Sequence, residues 1–161
     1  MAKRIRIGIL LAAVVLLCGV WLFVSYDVQL PNNGFAVYLC EDNTLVISDE
    51  DVLSYDMIGH EMGLSIESAN RLEQMKEPLH GRFMIKINGE NIYGGIILPP
   101  SISRSYPCSE VIIVIPSLLG SYRNIKLQMG YPECQPVDTD PRSNPTVFEY
   151  FEKNGKLIQS P

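Results

Sequence analysis

Apolar side chains at every second position mark one stretch of the chain as a half-buried β-strand and predict the turn that follows it. The strand covers residues 82–87, and the dipeptide Asn88–Gly89 comes directly after it. Asn-Gly is the strongest two-residue hairpin signal because both residues tolerate the positive φ angles of a type I′ turn. The pattern therefore predicts a β-hairpin with its return strand at 90–98. Its core face is formed by Phe83, Ile85 and Ile87.

Further short apolar runs predict strands on both sides of this hairpin. A first hairpin is expected from 35–42 and 44–48, and two later strands from 110–115 and 124–129. The stretch 49–57 is ambiguous because both of its faces carry apolar side chains. Successive strands joined by short turns favour a mostly antiparallel sheet.

One helix is predicted from Ile66 to Glu77. Ser65 is a favourable N-cap residue, and Pro78 ends the pattern. Apolar residues recur at three-residue steps and predict a buried stripe. The stripe consists of Ile66, Ala69, Leu72 and Met75.

The C-terminal part changes in character. Residues 131–145 contain four prolines and little to bury, so they predict a surface segment. Residues 146–159 contain another Asn-Gly between apolar residues, which favours a terminal hairpin over a helix. The sequence thus predicts an α+β domain at 35–130, with one helix packed on the sheet, followed by a Pro-rich segment and possible hairpin at 131–161.

An uninterrupted apolar run at 7–24 is long enough to cross most of a bilayer as a helix. A cleaved signal peptide is the alternative, but no small-residue cleavage site follows the run, and Cys18 lacks the small preceding residues of a lipoprotein signal. We expect an uncleaved transmembrane signal anchor at 7–26, in contact with the lipid bilayer. A linker at 27–34 would follow it.

Charge predicts the orientation of this anchor. The basic tail 1–6 carries Lys3, Arg4 and Arg6, so the positive-inside rule places it in the cytoplasm and the rest of the chain outside. The net charge of the 161 residues is -5, and no basic stripe is present. Nucleic acid is therefore not an expected partner.

Three cysteines, Cys40, Cys108 and Cys134, follow the predicted anchor, so at most one intramolecular disulfide can form among them. Cys108 and Cys134 bracket the strands predicted at 110–115 and 124–129, and antiparallel pairing of these strands would bring the two thiols together. The alternative is three unpaired thiols. Their spacing does not match a zinc site.

The remaining polar clusters do not match the motifs that they resemble. His60 and Glu61 begin the zinc motif H-E-x-x-H, but Leu64 replaces its second histidine. The acidic run 49–51 lacks the glycine and the final glutamate of a calcium loop, and no glycine-rich stretch leads from a strand into a helix. The sequence therefore predicts no catalytic residue, no cofactor and no metal site.

Segments between residues 45 and 103 follow one another in a characteristic order. A strand at 50–56 precedes the helix start at Leu64, Ser65 and Glu67, and Gly81 with the strand and hairpin at 83–97 comes later. This order resembles the head region of the first periplasmic domain of SecD and SecDF, components of the bacterial Sec translocon. The chain departs from the family at Asn88, where Asp is usual, and it has one predicted span where SecD has six.

The resemblance implies an α+β fold, a small curved sheet crossed by one helix, and does not imply proton-driven export. We therefore expect a membrane-anchored extracytoplasmic binding or adaptor module, not an enzyme, whose partner is an envelope protein or peptide. One alternative is a small cell-envelope hydrolase with His60, Asp56 and a serine. The other is a purely structural envelope protein.

Overall fold

A computed structural model describes residues 33–75, 79–99, 103–114, 122–135 and 139–160, all in the compact unit Pro31–Pro161. These ranges contain nine strands, two α-helices and two 3₁₀ turns, at Asp49–Asp51 and Pro141–Ser143. The strands and helices are β1 Phe35–Leu39, β2 Leu45–Ser48, β3 Val52–Asp56, β4 Glu61–Leu64, α1 Ile66–Gln74, β5 Gly81–Ile87, β6 Glu90–Leu98, β7 Tyr106–Val114, β8 Asn124–Tyr131, α2 Pro145–Lys153 and β9 Leu157–Ile158.

The strands form one mixed sheet in the order β2-β1-β5-β6-β7-β8-β4-β3-β9. Two neighbouring pairs are parallel, β6 with β7 and β3 with β9. The predicted fold class, an N-terminal transmembrane helix followed by a small, mostly antiparallel sheet with one packed helix, is wrong, because the described residues form a nine-stranded mixed sheet with two short helices. The alternation of side chains sets which face of a strand is buried, but it carries no information on the direction of a neighbouring strand.

The predicted transmembrane helix is not seen in the part of the chain that the structure describes. No helix there is long and apolar enough to cross a membrane. The predicted basic tail at 1–6 and anchor at 7–26 lie outside the described residues, as does nearly all of the linker at 27–34.

Helix α1 begins where its N-cap predicts. The Ser65 hydroxyl accepts a hydrogen bond from the Ser68 backbone N–H at 3.1 Å, and Ala69 and Leu72 are buried. The prediction for Ile66 is wrong, since this side chain is 55% exposed. The buried residues of the helix are Ser68, Ala69 and Leu72. The Ser68 hydroxyl donates to Asp51.

Helix α2 corrects the predicted terminal hairpin. The Asn144 side chain accepts from the Thr146 N–H at 2.9 Å, and a proline occupies the first turn, where its missing N–H costs nothing. Val147 and Phe151, one helical turn apart, are both fully buried. Asn154–Gly155 ends this helix: Gly155 has a φ of +67° and its N–H donates to the Glu152 carbonyl.

The alternating residues of the strands and the apolar faces of both helices share one hydrophobic core. Phe151 of α2 lies against strands from distant parts of the sheet. Its ring centroid is 5.0 Å from that of Phe35 in β1 and 4.9 Å from that of Tyr55 in β3. Helix α2 therefore joins β1 and β3 through the core.

The sheet must be strongly coiled. Strand β2 is first in its order and β3 is eighth, yet only Asp49–Asp51 connects them. Three residues span about 10 Å at most, so the two ends of the sheet approach each other. Side chains bridge this approach: Arg71 donates to the Val46 carbonyl at 3.3 Å, and Lys156 donates to the Asp49 carbonyl at 2.7 Å.

Candidate binding cleft and sheet edge

The turn after β3 is built by the carboxylate of Asp56. Its Oδ1 accepts from the backbone N–H groups of Ile58 at 3.0 Å and Ser160 at 3.2 Å. The hydrogen bond from Ile58 is the main reason that the pKa of Asp56 is lowered. The Asp56 carboxylate therefore stabilises the turn. At the end of this turn, His60 has a φ of +50° and is only 7% exposed.

The imidazole of His60 lies between two polar groups. Its Nδ1 is 3.3 Å from the Tyr55 hydroxyl, and its Nε2 is 3.8 Å from Oδ2 of Asp140. The ring is nearly parallel to that of Phe148, at 13° and 6.4 Å between centroids. The carboxylate beside Nε2 favours the tautomer with the proton on Nε2, so Nδ1 accepts from Tyr55.

Burial sets the protonation state of this cluster. It lowers the pKa of His60 below its usual 6.5, and the Arg142 guanidinium lowers it further, while Asp140 acts in the opposite direction. Burial also raises the pKa of the Tyr55 hydroxyl far above its usual value of 10. Near neutral pH both groups are therefore uncharged.

Asp140 and Arg142 form a buried ion pair at the start of the second 3₁₀ turn. Arg142 Nη2 donates to Oδ2 of Asp140 at 2.6 Å, and Nη1 donates to the Leu127 carbonyl at 2.8 Å. Burial acts to raise the pKa of Asp140, but the hydrogen bonds from Arg142 hold it below its usual range. Because the pair attaches to β8, it fixes residues 139–143 against the sheet.

These groups line one wall of an open cleft with a volume of about 640 Å³, which we call the His60 cleft. On its rim, Lys126 Nζ donates to Oε2 of Glu133 at 2.8 Å. Its polar lining includes His60, Lys126, Glu133, Thr139, Asp140 and Ser143.

The predicted cysteine pair lies at this cleft. The sulfurs of Cys108 and Cys134 are 2.10 Å apart in a disulfide that connects the start of β7 to the turn after β8. Cys134 is part of the cleft lining, whereas Cys40 is a free, exposed thiol. The disulfide therefore holds the segment that carries Glu133.

The other residues that the sequence singled out do not converge on a site. In the described ranges, no group of three or more His, Cys, Asp or Glu residues could hold a metal ion. The acidic run 49–51 connects β2 to β3, and Asp51 accepts from the backbone N–H of Ser48 at 2.7 Å. For the hydrolase alternative, Asp140 rather than Asp56 lies beside Nε2 of His60.

The glycine-rich hairpin is a packing element. Asn88 and Gly89 make its turn with φ angles of +51° and +84°. A Cβ on Gly95 would meet the Val111 carbonyl oxygen and lie 2.7 Å from the Phe83 ring. This glycine is needed for the close approach of β6 to its neighbours, not for a phosphate.

Sequence reasoning missed Asp140 and Arg142 as partners of His60. One signal was available in the sequence. The Pro-rich segment contains a single arginine, Arg142, two residues after Asp140, and a surface segment does not require such a pair. Buried arginine is rare unless it is paired, but burial could not be foreseen for this segment.

A second feature is the end of the sheet next to the cleft. Among the strands of the described ranges, β9 is last in the order and pairs with β3 alone. Two large apolar side chains lie exposed there, Ile58 at 63% and Ile158 at 46%.

Comparisons with protein-family models, with curated proteins and with solved structures find no match for this chain.

Proposed function

We propose that the domain is a binding module that takes an extended peptide segment along the outer edge of β9. The observation that carries the proposal is the position of this short strand at the end of the sheet order. An end strand offers backbone donors and acceptors to a further strand, a mode of peptide binding known as β-augmentation.

The register of β9 determines which backbone groups face outward. The carbonyl groups of Lys156 and Ile158 accept from the N–H groups of Tyr55 at 2.8 Å and Met57 at 3.1 Å. Alternate residues of a strand direct their backbone groups to opposite sides, so the N–H and C=O of Leu157 point away from β3. They are the groups that an added strand would pair with.

Apolar side chains beside this edge favour the same use. Ile58 follows β3, and Ile158 pairs with Asp56 at the end of β3, so both lie at one end of the β3–β9 pair. A peptide with an apolar residue at this level would bury part of their surface, at about 25 cal/mol per Å².

The opposite edge of the sheet is covered. The Val46 carbonyl of β2 accepts from Arg71, whose guanidinium is held by Asp51 at 2.6 Å. A charged side chain placed on an edge is a common means of blocking strand addition. The contrast favours β9 over β2 as the binding edge.

The cellular setting also remains a proposal. With the predicted anchor at 7–26, the SecD-like interpretation of residues 45–103 would place the β9 edge outside the cytoplasm, facing an envelope protein or peptide. Both parts depend on the sequence pattern alone.

The test uses the full chain and a library of fluorescent heptapeptides that alternate β-branched with polar residues. Fluorescence anisotropy should detect peptides that bind with dissociation constants below about 1 mM. In the variant Ile158→Asp, the buried charge should weaken binding by roughly tenfold or more.

The matched control is Ile66→Asp, which places the same charge at an exposed isoleucine near the opposite end of β3, 55% exposed where Ile158 is 46%. It should leave peptide binding unchanged. Equal binding by both variants, or no saturable binding by any peptide in the library, would contradict the proposal.

A further inference from the structure

The His60 cleft is large enough for a ligand of its own. Its volume of about 640 Å³ falls within the range of small-molecule sites, roughly 300 to 1,000 Å³. It shares Ile58 with the peptide edge, but its other walls come from β8 and from residues 133–134 and 139–143, and β9 does not line it.

The charges of the cleft balance. Lys126 and Arg142 are offset by Glu133 and Asp140, and His60 is uncharged near neutral pH. All three guanidinium nitrogens of Arg142 already donate within the protein. A phosphate or another multiply charged ligand would therefore lack a free counter-ion in the cleft.

His60 and Asp140 place a donor and an acceptor at a useful distance, and Oδ2 of Asp140 also accepts from Nη2 of Arg142 at 2.6 Å and from Nε at 3.1 Å. Nε2 and Oδ2 are 3.8 Å apart, too far for a good hydrogen bond between them. One oxygen atom can lie about 2.8 Å from both, accepting from the N–H and donating to the carboxylate. A hydroxyl group does both at once.

The rim repeats this arrangement of paired donors and acceptors. Lys126 and Glu133 form a half-exposed pair with unused N–H groups and a second carboxylate oxygen, and Thr139 and Ser143 add hydroxyl groups. Ile58, which is largely exposed, provides an apolar wall for C–H groups.

From this geometry we infer that the His60 cleft binds an uncharged polyhydroxylated ligand, a carbohydrate. One ligand hydroxyl lies between Nε2 of His60 and Oδ2 of Asp140. Its neighbours pair with Lys126 and Glu133 and with the hydroxyl groups of Thr139 and Ser143.

The experiment exploits the small number of histidines. The chain has two, so ¹³C labelling of the Cε1 ring carbon of histidine gives two NMR signals, and His80, outside the cleft lining, serves as the internal reference. The full chain in lipid nanodiscs is titrated at pH 7.5 with glucose, N-acetylglucosamine, maltose and chitobiose. Inorganic phosphate and putrescine are the charged comparison probes.

At least one sugar should shift the His60 signal saturably, with half-saturation at or below about 10 mM, while His80 stays in place. The double variant Thr139→Val, Ser143→Ala should weaken that binding by roughly threefold to tenfold, as expected for lost hydrogen bonds. The matched control, Ser105→Ala at an exposed position that does not line the cleft, should bind like the parent chain.

Three results would overturn the assignment: no sugar shifts His60, phosphate or putrescine shifts it more strongly than any sugar, or the double variant binds the sugar unchanged. Each of them leaves the peptide test at β9 untouched. The two proposals can therefore fail separately.

Discussion

Two of the three Asn-Gly dipeptides in this chain follow apolar segments, and these two belong to different structures. Asn88–Gly89 joins β5 to β6, and Asn154–Gly155 ends α2. Both glycines have positive φ angles, +84° and +67°. The dipeptide therefore fixes a local change of chain direction and leaves open which element precedes it.

What differs is the spacing of the apolar residues before each pair. Phe83, Ile85 and Ile87 are buried at two-residue steps, whereas Val147 and Phe151 are buried four residues apart. The second spacing is that of a helix, and Asn144 adds a cap that the first region does not need. The apolar period, not the turn signal, should have decided the element.

The largest expected effect comes from removing one core side chain on each side of this comparison. Phe151→Ala should lower the free energy of unfolding by about 3–5 kcal/mol, and Ile85→Ala by about 2–5 kcal/mol, because both sites are fully buried. Urea unfolding measures both. A loss well under 2 kcal/mol for Phe151→Ala would show that α2 is not part of the core.

Substitution of the two glycines should have a smaller effect, and the effect should be similar at both. Gly89→Ala and Gly155→Ala should each cost about 1–2 kcal/mol, since an L side chain is disfavoured at positive φ. A Cβ on Gly155 meets nothing within 4 Å, so the cost there is conformational alone. Gly155→Asn should recover part of it, and a neutral Gly155→Ala variant would argue against the helix cap.

The cap at Asn144 distinguishes the two regions directly. Asn144→Ala should destabilise by about 1 kcal/mol because the Thr146 N–H loses its acceptor, and Asn144→Ser should restore most of the loss. Asn91→Ala, at an exposed position beside Asn88–Gly89, should change stability by less than about 0.5 kcal/mol. Thermal unfolding of the three variants compares them.

Acid should lower the stability of the fold through His60. Its pKa in the folded state lies below 6.5, so the unfolded chain takes up the proton first as the pH falls. Stability should therefore decrease from about pH 6.5 downward until the folded-state pKa is reached, and should not respond to this group above that pH.

Urea midpoints between pH 8 and pH 5 test this dependence. His60→Asn should remove the slope below pH 6.5, since asparagine tolerates the positive φ but does not titrate. Asn91→Ala, which removes no titratable group, serves as the control and should keep the slope. An unchanged slope in His60→Asn would assign the pH dependence to other groups.

Local patterns in the sequence predicted what depends on neighbours in the chain. The core face of β5 and the cap at Ser65 follow from residues a few positions apart. The parallel pairing of β6 with β7, and of β3 with β9, depends on how the chain returns to the sheet, which no alternation records. The pattern of apolar residues therefore could not predict whether neighbouring strands are parallel or antiparallel.

The candidate site was unpredictable for a related reason. His60 and Asp140 are 80 positions apart, and the surface-like composition of 131–145 hides a buried arginine. The disulfide partners could be proposed because two predicted strands lie between them. Nothing comparable linked His60 to the Pro-rich segment.

The pairing of β3 with β9 has a consequence for how the protein is made. Tyr55 pairs with Leu157, so during synthesis β3 is translated about a hundred residues before its outer neighbour. At roughly 5–20 residues per second, that interval lasts about 5–20 s. Throughout it β3 has an uncovered side on the ribosome-bound chain, and an unpaired strand edge of this kind can pair with another chain and aggregate.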